Sequence, residues 1–205
     1  DGRMEYVGGD RASLAGVDVS SHQGTVDWAK VAADGIDFVI IRCGGRYYGS
    51  GKVFEDKPCA EFLLRIILNR DDLKVKEVHG QHDLNNIQGR SVRLDILAVD
   101  HENRAYNVEV QRSDSGAVAK RARYNSSLLD ANLTRKGDAY DALNETYVIF
   151  ITENDVLRGG LPIYHINRII EEMGKSFGDE AHIIYVNSQI RDDTDRKSTR
   201  LNSSH

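Results

Sequence analysis

Two carboxylates on either side of a short turn are the residues here whose types and spacing could do chemistry. They are Asp95 and Glu109, in SVRLDILAVD-HEN-RAYNVEVQR. Both flanking runs are rich in β-branched residues and read as an antiparallel pair. If position numbers across the pair sum to 204, Asp100 faces Arg104 and His101-Glu102-Asn103 forms a three-residue loop. Asp95 then lies directly opposite Glu109, on one face with Gln111, and opposed residues sit close enough to interact. Val108 and Val110 point the other way, toward the core. A slip of one residue would put the two carboxylates on opposite faces. Facing carboxylates repel unless a positive charge lies between them. A divalent cation answers that need: Mg²⁺ takes one or two carboxylates, keeps several waters and meets a substrate phosphate. Such an ion generates a hydroxide and stabilises charge on a phosphodiester under attack. The bland alternative is a solvated pair balanced by Arg93 and Arg112.

The next stretch favours the phosphodiester. Between Arg112 and Lys136 stand six basic residues and only two acidic ones, Asp114 and Asp130. Ser113 or Ser115 is placed to cap a helix over about 115–131 that carries Lys120, Arg121, Arg123 and Tyr124. With Arg112, that helix could hold a phosphate backbone beside a metal; without neighbouring carboxylates it would be an ordinary solvated face. The elements that must position these residues run from 58 to 194: a helix near 59–69, the antiparallel pair, the basic helix, a shorter helix at 137–144, a buried strand TYVIFITEN, and a closing hairpin of PIYHINRII and AHIIYVNS. This is a mixed α/β (α+β) domain.

A second carboxylate of interest precedes that domain. Asp18 stands in AGVDVSSHQGTVDW, at the end of a short apolar run. Residues 14–57 read strand, helix, strand, with Thr25 as helix cap, Gly35 at its end, and FVIIRCGG as a strand buried on both faces. Gly44, Gly45, Gly49 and Gly51 read as a loop. Glycoside hydrolysis needs two carboxyl groups across the scissile bond. Asp100-His101-Glu102 is the one D-x-E triplet in reach, but it falls where the hairpin must turn. One βαβ unit also cannot close an eight-stranded barrel.

Two resemblances rest on these residues. GVDVSSHQGTVDWAKVAADGIDFVIIRCGG and the later GxxxEDK resemble the start of the glycoside hydrolase family 25 muramidases, which cleave peptidoglycan. There Asp18 matches an active-site carboxylate, and the fragment is an incomplete, orphan βαβ unit of a β/α barrel over residues 1–57. VFEDKPCAEFLLRIILNRDDL, RLDILAVD, AYNVEVQR, KRARYNSSLL, YVIFITEN and HIIYVN resemble the PD-(D/E)XK nuclease family transposases, over about 53–194. That resemblance implies a restriction-endonuclease-like mixed sheet flanked by helices, here truncated at its C-terminus. It also implies Mg²⁺-dependent cleavage of DNA, with Asp95 and Glu109 as metal ligands and Gln111 in place of the usual lysine, where it orients water. The expected function is therefore a DNA endonuclease. The alternatives are a muramidase lacking its second catalytic motif and a chimeric chain without selected function, joined near GKVFEDKP.

Composition sets the remaining bounds. The chain has 205 residues, 40% hydrophobic and 29% charged, with net charge −5, so bulk charge does not advertise nucleic-acid binding. No run approaches the ~18 apolar residues of a membrane helix, and no signal peptide opens the chain. Cys43 and Cys59 read as buried thiols in a reducing, cytoplasmic compartment; secretion belongs only to the muramidase alternative. His79-x-x-His82 lacks partner ligands and reads as polar loop. Asp195–His205 (DRKSTRLNSSH) matches a translated sequencing adapter and is set aside as an artefactual tail.

Overall fold

The structure is a computed structural model that describes residues 3–5, 15–19, 30, 38–41, 44–46, 53–86 and 89–188. It divides into two compact units, Asp1–Gly80 and Gln81–His205.

In the first unit, β1 (Arg3–Glu5) pairs antiparallel with β2 (Ala15–Val19), and β2 runs parallel to β3 (Phe38–Ile41). Parallel neighbours need a crossover between them, as expected of a βαβ unit; the helix expected there, with Thr25 and Gly35, lies outside the described residues. The glycine-rich stretch is not all loop, because β4 (Gly44–Arg46) forms an antiparallel pair with β5 (Val53–Glu55). Helix α1 (Lys57–Leu68) follows. Asp56 Oδ1 accepts the Cys59 N–H at 3.2 Å, Pro58 stands in the first turn, where its missing N–H costs nothing, and Asn69 ends the helix in the left-handed region at φ 50°. Glu61 is paired with Arg65 at 2.7 Å and accepts the Val75 N–H at 2.8 Å, tying the helix to the start of the next strand. Cys59 is a free, half-buried thiol pushed up to about 11 by burial and by neighbouring Asp56; Cys43 lies outside the described residues.

The next strand, β6 (Val75–Leu84), carries His79 and His82, so this pair lies on a strand and not in the expected loop. Its buried positions are Val75, Val78 and Leu84, a spacing that does not alternate, so the strand signal is broken. Then come β7 (Val92–Asp100), β8 (Ala105–Gln111), a 3₁₀ turn (Asp114–Ala117), α2 (Ala119–Leu133), a 3₁₀ turn (Tyr140–Ala142), β9 (Thr146–Thr152), β10 (Ile163–Ile166), β11 (Ile169–Ile170), β12 (Lys175–Ser176) and β13 (Ala181–Asn187). The six-stranded sheet has the order β10-β13-β9-β8-β7-β6. β9 is parallel to both β8 and β13, and its Val148, Ile149 and Phe150 are buried on both faces, as central parallel strands require. β10 and β13 form the expected closing hairpin, with the small β11–β12 ribbon inserted between them.

β7 and β8 pair in the expected register: Ile96 faces Val108, Leu97 Asn107, Ala98 Tyr106 and Val99 Ala105, each pair summing to 204. The turn is fastened by Asp100. Its Oδ1 accepts the Glu102 and Arg104 amides, each at 2.9 Å, and its Oδ2 accepts Arg104 Nε at 2.6 Å and the Tyr106 hydroxyl at 2.7 Å. Burial pushes this carboxyl up, but the Tyr106 and Arg104 bonds outweigh it and hold it below the usual carboxylate range. Asp100 therefore holds the turn.

Helix α2 lies against this sheet. Leu128 and Leu129 pack with Leu84, Leu94, Leu97 and Ala105, while Ala117 and Ala122 pack with Val148, Phe150 and Tyr185. The Tyr185 hydroxyl donates to the Ala117 carbonyl at 2.7 Å and pins the start of the helix. Neither Ser113 nor Ser115 caps α2: their hydroxyls bond each other at 2.8 Å, and Val118 occupies the N-cap without a side-chain bond. Among the described residues no helix is long and apolar enough to cross a membrane.

Candidate active site

Strand alternation places Asn107, Glu109 and Gln111 on one face of β8. The regular β7–β8 ladder ends at Ile96 and Val108. Beyond it, Asp95 substitutes its own carboxylate for a rung, accepting the Val110 N–H on Oδ2 at 3.0 Å. Leu94 and Leu97 share one core cluster although they are three residues apart. Past that point Val110 is 58% exposed and does not face the core as expected, whereas Val108 is buried.

Asp95 remains exposed, but Glu109 is only 1% exposed. Glu109 Oε2 accepts Arg121 Nη2 at 3.1 Å and Gln111 Nε2 at 3.4 Å, while Oε1 is buried with no hydrogen-bond partner. Burial pushes the Glu109 carboxyl up to about 7 and the nearby Asp95 charge pushes the same way; Arg121 and the Asp95 backbone amide act against them. The buried Asn107 amide also favours the charged form, though it makes no hydrogen bond of good geometry. The Asp95 charge thus acts on the Glu109 carboxyl, although the regular ladder ends one pair short of these two residues.

The positive partner of Glu109 comes from the helix. Arg121 is held at a second point by the Gly116 carbonyl, which accepts Nη1 at 2.9 Å. Gly116 sits tightly here, because a methyl group added to it would overlap the Gln111 amide oxygen. Arg93 and Arg112, the partners considered from spacing, are engaged elsewhere: Arg93 with Asp83 at 2.8 Å and Arg112 with Glu153 at 3.9 Å. Arg121 was expected at DNA phosphate; its bond to Glu109 has no signature in spacing alone, and neither does the role of Gly116.

Arg121 also lines a cavity of about 560 Å³ between the start of β7 and the first two turns of α2. Arg90, Arg93, Lys120, Tyr124 and Asn125 share its wall. The Tyr124 hydroxyl accepts from Asn86 Nδ2 at 2.9 Å and donates to the Arg90 carbonyl at 2.5 Å, joining helix to strand. The Asn125 amide is buried with neither Oδ1 nor Nδ2 satisfied. Arg123 is exposed on the same helix but is not part of this wall.

Residues 55–202 match the family model described as PD-(D/E)XK nuclease family transposase. The chain belongs to that family. No curated protein matches it. The mixed α+β architecture, with its six-stranded sheet and few helices, agrees with the restriction-endonuclease-like fold of PD-(D/E)XK nucleases. Membership implies DNA as the substrate, and nucleases of this kind are generally dependent on a divalent metal. The nuclease family match contains Asp95, Glu109, Gln111 and the whole basic helix, begins ahead of α1, and runs past Thr194. Asp18 lies outside it, on β2 opposite Ile40, and its side chain is outside the described residues. Among the described residues no three His, Cys, Asp or Glu side chains converge. Two carboxylates, one with a buried oxygen unpartnered, still fit a cation that draws its other ligands from water and phosphate.

Proposed function

We propose that this chain is a Mg²⁺-dependent DNA endonuclease in which Asp95 and Glu109 hold the metal. The observation that carries the reading is Glu109: a carboxylate 1% exposed, pushed up to about 7, with one oxygen left over. Burying a carboxylate without full compensation is destabilising, and such costs concentrate at functional sites. A divalent ion bound there would supply a hydroxide and counter the charge that develops on the phosphodiester.

The chain's own residues do the positioning. Gln111 donates to Glu109 Oε2 and so fixes the carboxylate plane, leaving its carbonyl oxygen to orient a water. The Val110 amide holds Asp95 Oδ2, leaving Oδ1 for the metal. Lys120 and Arg90, at the cavity wall, are placed to take the DNA backbone; Arg112 and Arg123, both exposed, are further candidates for that contact. Incubation of supercoiled plasmid with the protein and Mg²⁺ tests the reading: wild type nicks the plasmid, Glu109→Ala does not, and chelation of the metal stops the reaction. Equal nicking by both proteins, or by neither, would refute it.

A further inference from the structure

The geometry points to Arg121 as an exchangeable cation that neutralises Glu109 in the metal-free protein and passes to a DNA phosphate in the adjoining cavity once a divalent ion takes the carboxylate. This inference rests on the metal reading proposed above.

Arg121 stands at the border of two environments. One side of its guanidinium meets Glu109 at 3.1 Å; the side chain, 35% exposed, also forms part of the cavity wall. No acidic residue lines that cavity. Its other cations are already committed or positioned. Arg93 is fixed by Asp83, while Arg90 and Lys120 make no ion pair among the described residues. The wall is therefore ready for an anion, and Arg121 is the member whose charge is spent elsewhere.

The exchange follows from what the carboxylate can tolerate. A buried carboxylate stripped of its cation is left with an uncompensated charge, so Arg121 is retained while nothing replaces it. A divalent ion on Glu109 would stand next to the guanidinium, and like charges at that distance repel. The Gly116 carbonyl holds Nη1 and serves as a pivot, so Nη2 leaves Glu109 by a movement of the side chain end alone. Gln111 stays behind on Glu109. A guanidinium freed in this way matches phosphate, which it binds in a bidentate manner. Metal and DNA then each strengthen the other's binding by the same factor.

A double-mutant cycle on DNA affinity tests this without relying on catalysis. Binding of a labelled duplex is measured by fluorescence anisotropy in EDTA for wild type, Glu109→Gln, Arg121→Gln and the double variant, each checked for folding by circular dichroism. Glu109→Gln releases Arg121 and should tighten binding by about tenfold, within the range usual for coupled sites. The double variant should lose that gain, and Glu109→Gln with Arg121→Lys should recover part of it. If the double variant keeps the gain, the effect is removal of negative charge alone and the exchange is overturned; absence of any gain in Glu109→Gln overturns it as well. Titration of Mn²⁺ into wild type, read by electron paramagnetic resonance, tells which claim has failed. A failed cycle in a protein that binds Mn²⁺ removes only the exchange, whereas a protein that binds none removes the metal reading and, with it, the trigger for exchange.

Discussion

Replacing Glu109 by glutamine should stabilise the metal-free protein, and do so more as pH rises. The Glu109 carboxyl sits at about 7 in the folded chain against an ordinary 4.5. Between those values the folded state holds a proton that the unfolded state has released, so stability falls as pH climbs through that window and stays low above it. The difference of 7 − 4.5 = 2.5 units, at about 1.4 kcal/mol per unit, sets a ceiling of about 3.5 kcal/mol on the loss. Glutamine never ionises and escapes it, although giving up the charged partner of Arg121 returns about 1 kcal/mol. The variant should therefore gain about 2 kcal/mol over wild type at pH 8 and almost nothing at pH 5. Urea unfolding followed by circular dichroism, in EDTA at the two pH values, measures both differences. A Glu109→Gln variant whose advantage is the same at pH 5 and pH 8, or which is less stable at pH 8, would show that the buried carboxylate is not held at a cost.

Asp100→Asn should cost about 3–5 kcal/mol, as expected when one partner of a buried ion pair is lost, and thermal unfolding will read it. Because this carboxyl is held below its usual range, its stabilisation is present above the unfolded value and drains away as pH falls through the folded one; the variant should lack that acid limb. Gly116→Ala should displace Gln111 and lower the nicking rate by about 10–100-fold, the usual cost of a small misplacement at a reacting centre, and unchanged nicking would remove Gly116 from the site. Lys120→Ala should weaken binding to all DNA sequences alike and flatten the slope of log affinity against log salt by about 1; an unaltered slope would place Lys120 away from phosphate.

The hairpin was legible because its signals are local: the loop HEN and the register from Ile96–Val108 to Val99–Ala105 follow from residues close in sequence. The buried β9 was legible for the same reason, as an unbroken apolar run. What failed was of another kind. β6 escaped because Val75, Val78 and Leu84 do not alternate, with Gly80 and exposed Gln81 between them. The end of the β7–β8 ladder at Ile96 and Val108 escaped because nothing in SVRLDILAVD marks it, and Val110 beyond it is exposed. Ser113 and Ser115 satisfied a capping rule, yet a 3₁₀ turn intervenes and the two hydroxyls bond each other. The link from Arg121 to Glu109 depends on how α2 is docked, by Tyr185 on the Ala117 carbonyl and by Tyr124 on the Arg90 carbonyl. Those contacts join residues far apart in sequence, where spacing carries no information.

The Asp100 turn also sets an order of events during folding. β7 and β8 close through a loop of three residues, His101 to Asn103, a local step that takes microseconds in hairpins. The parallel partner of β8 is β9, and the helix that carries Arg121 lies between them in the chain, so both arrive later. The two acids are thus brought together before the residue that neutralises one of them is in place. If folding follows this order, refolding should speed up under conditions that protonate or screen the acids, which stopped-flow refolding at varied salt and pH measures.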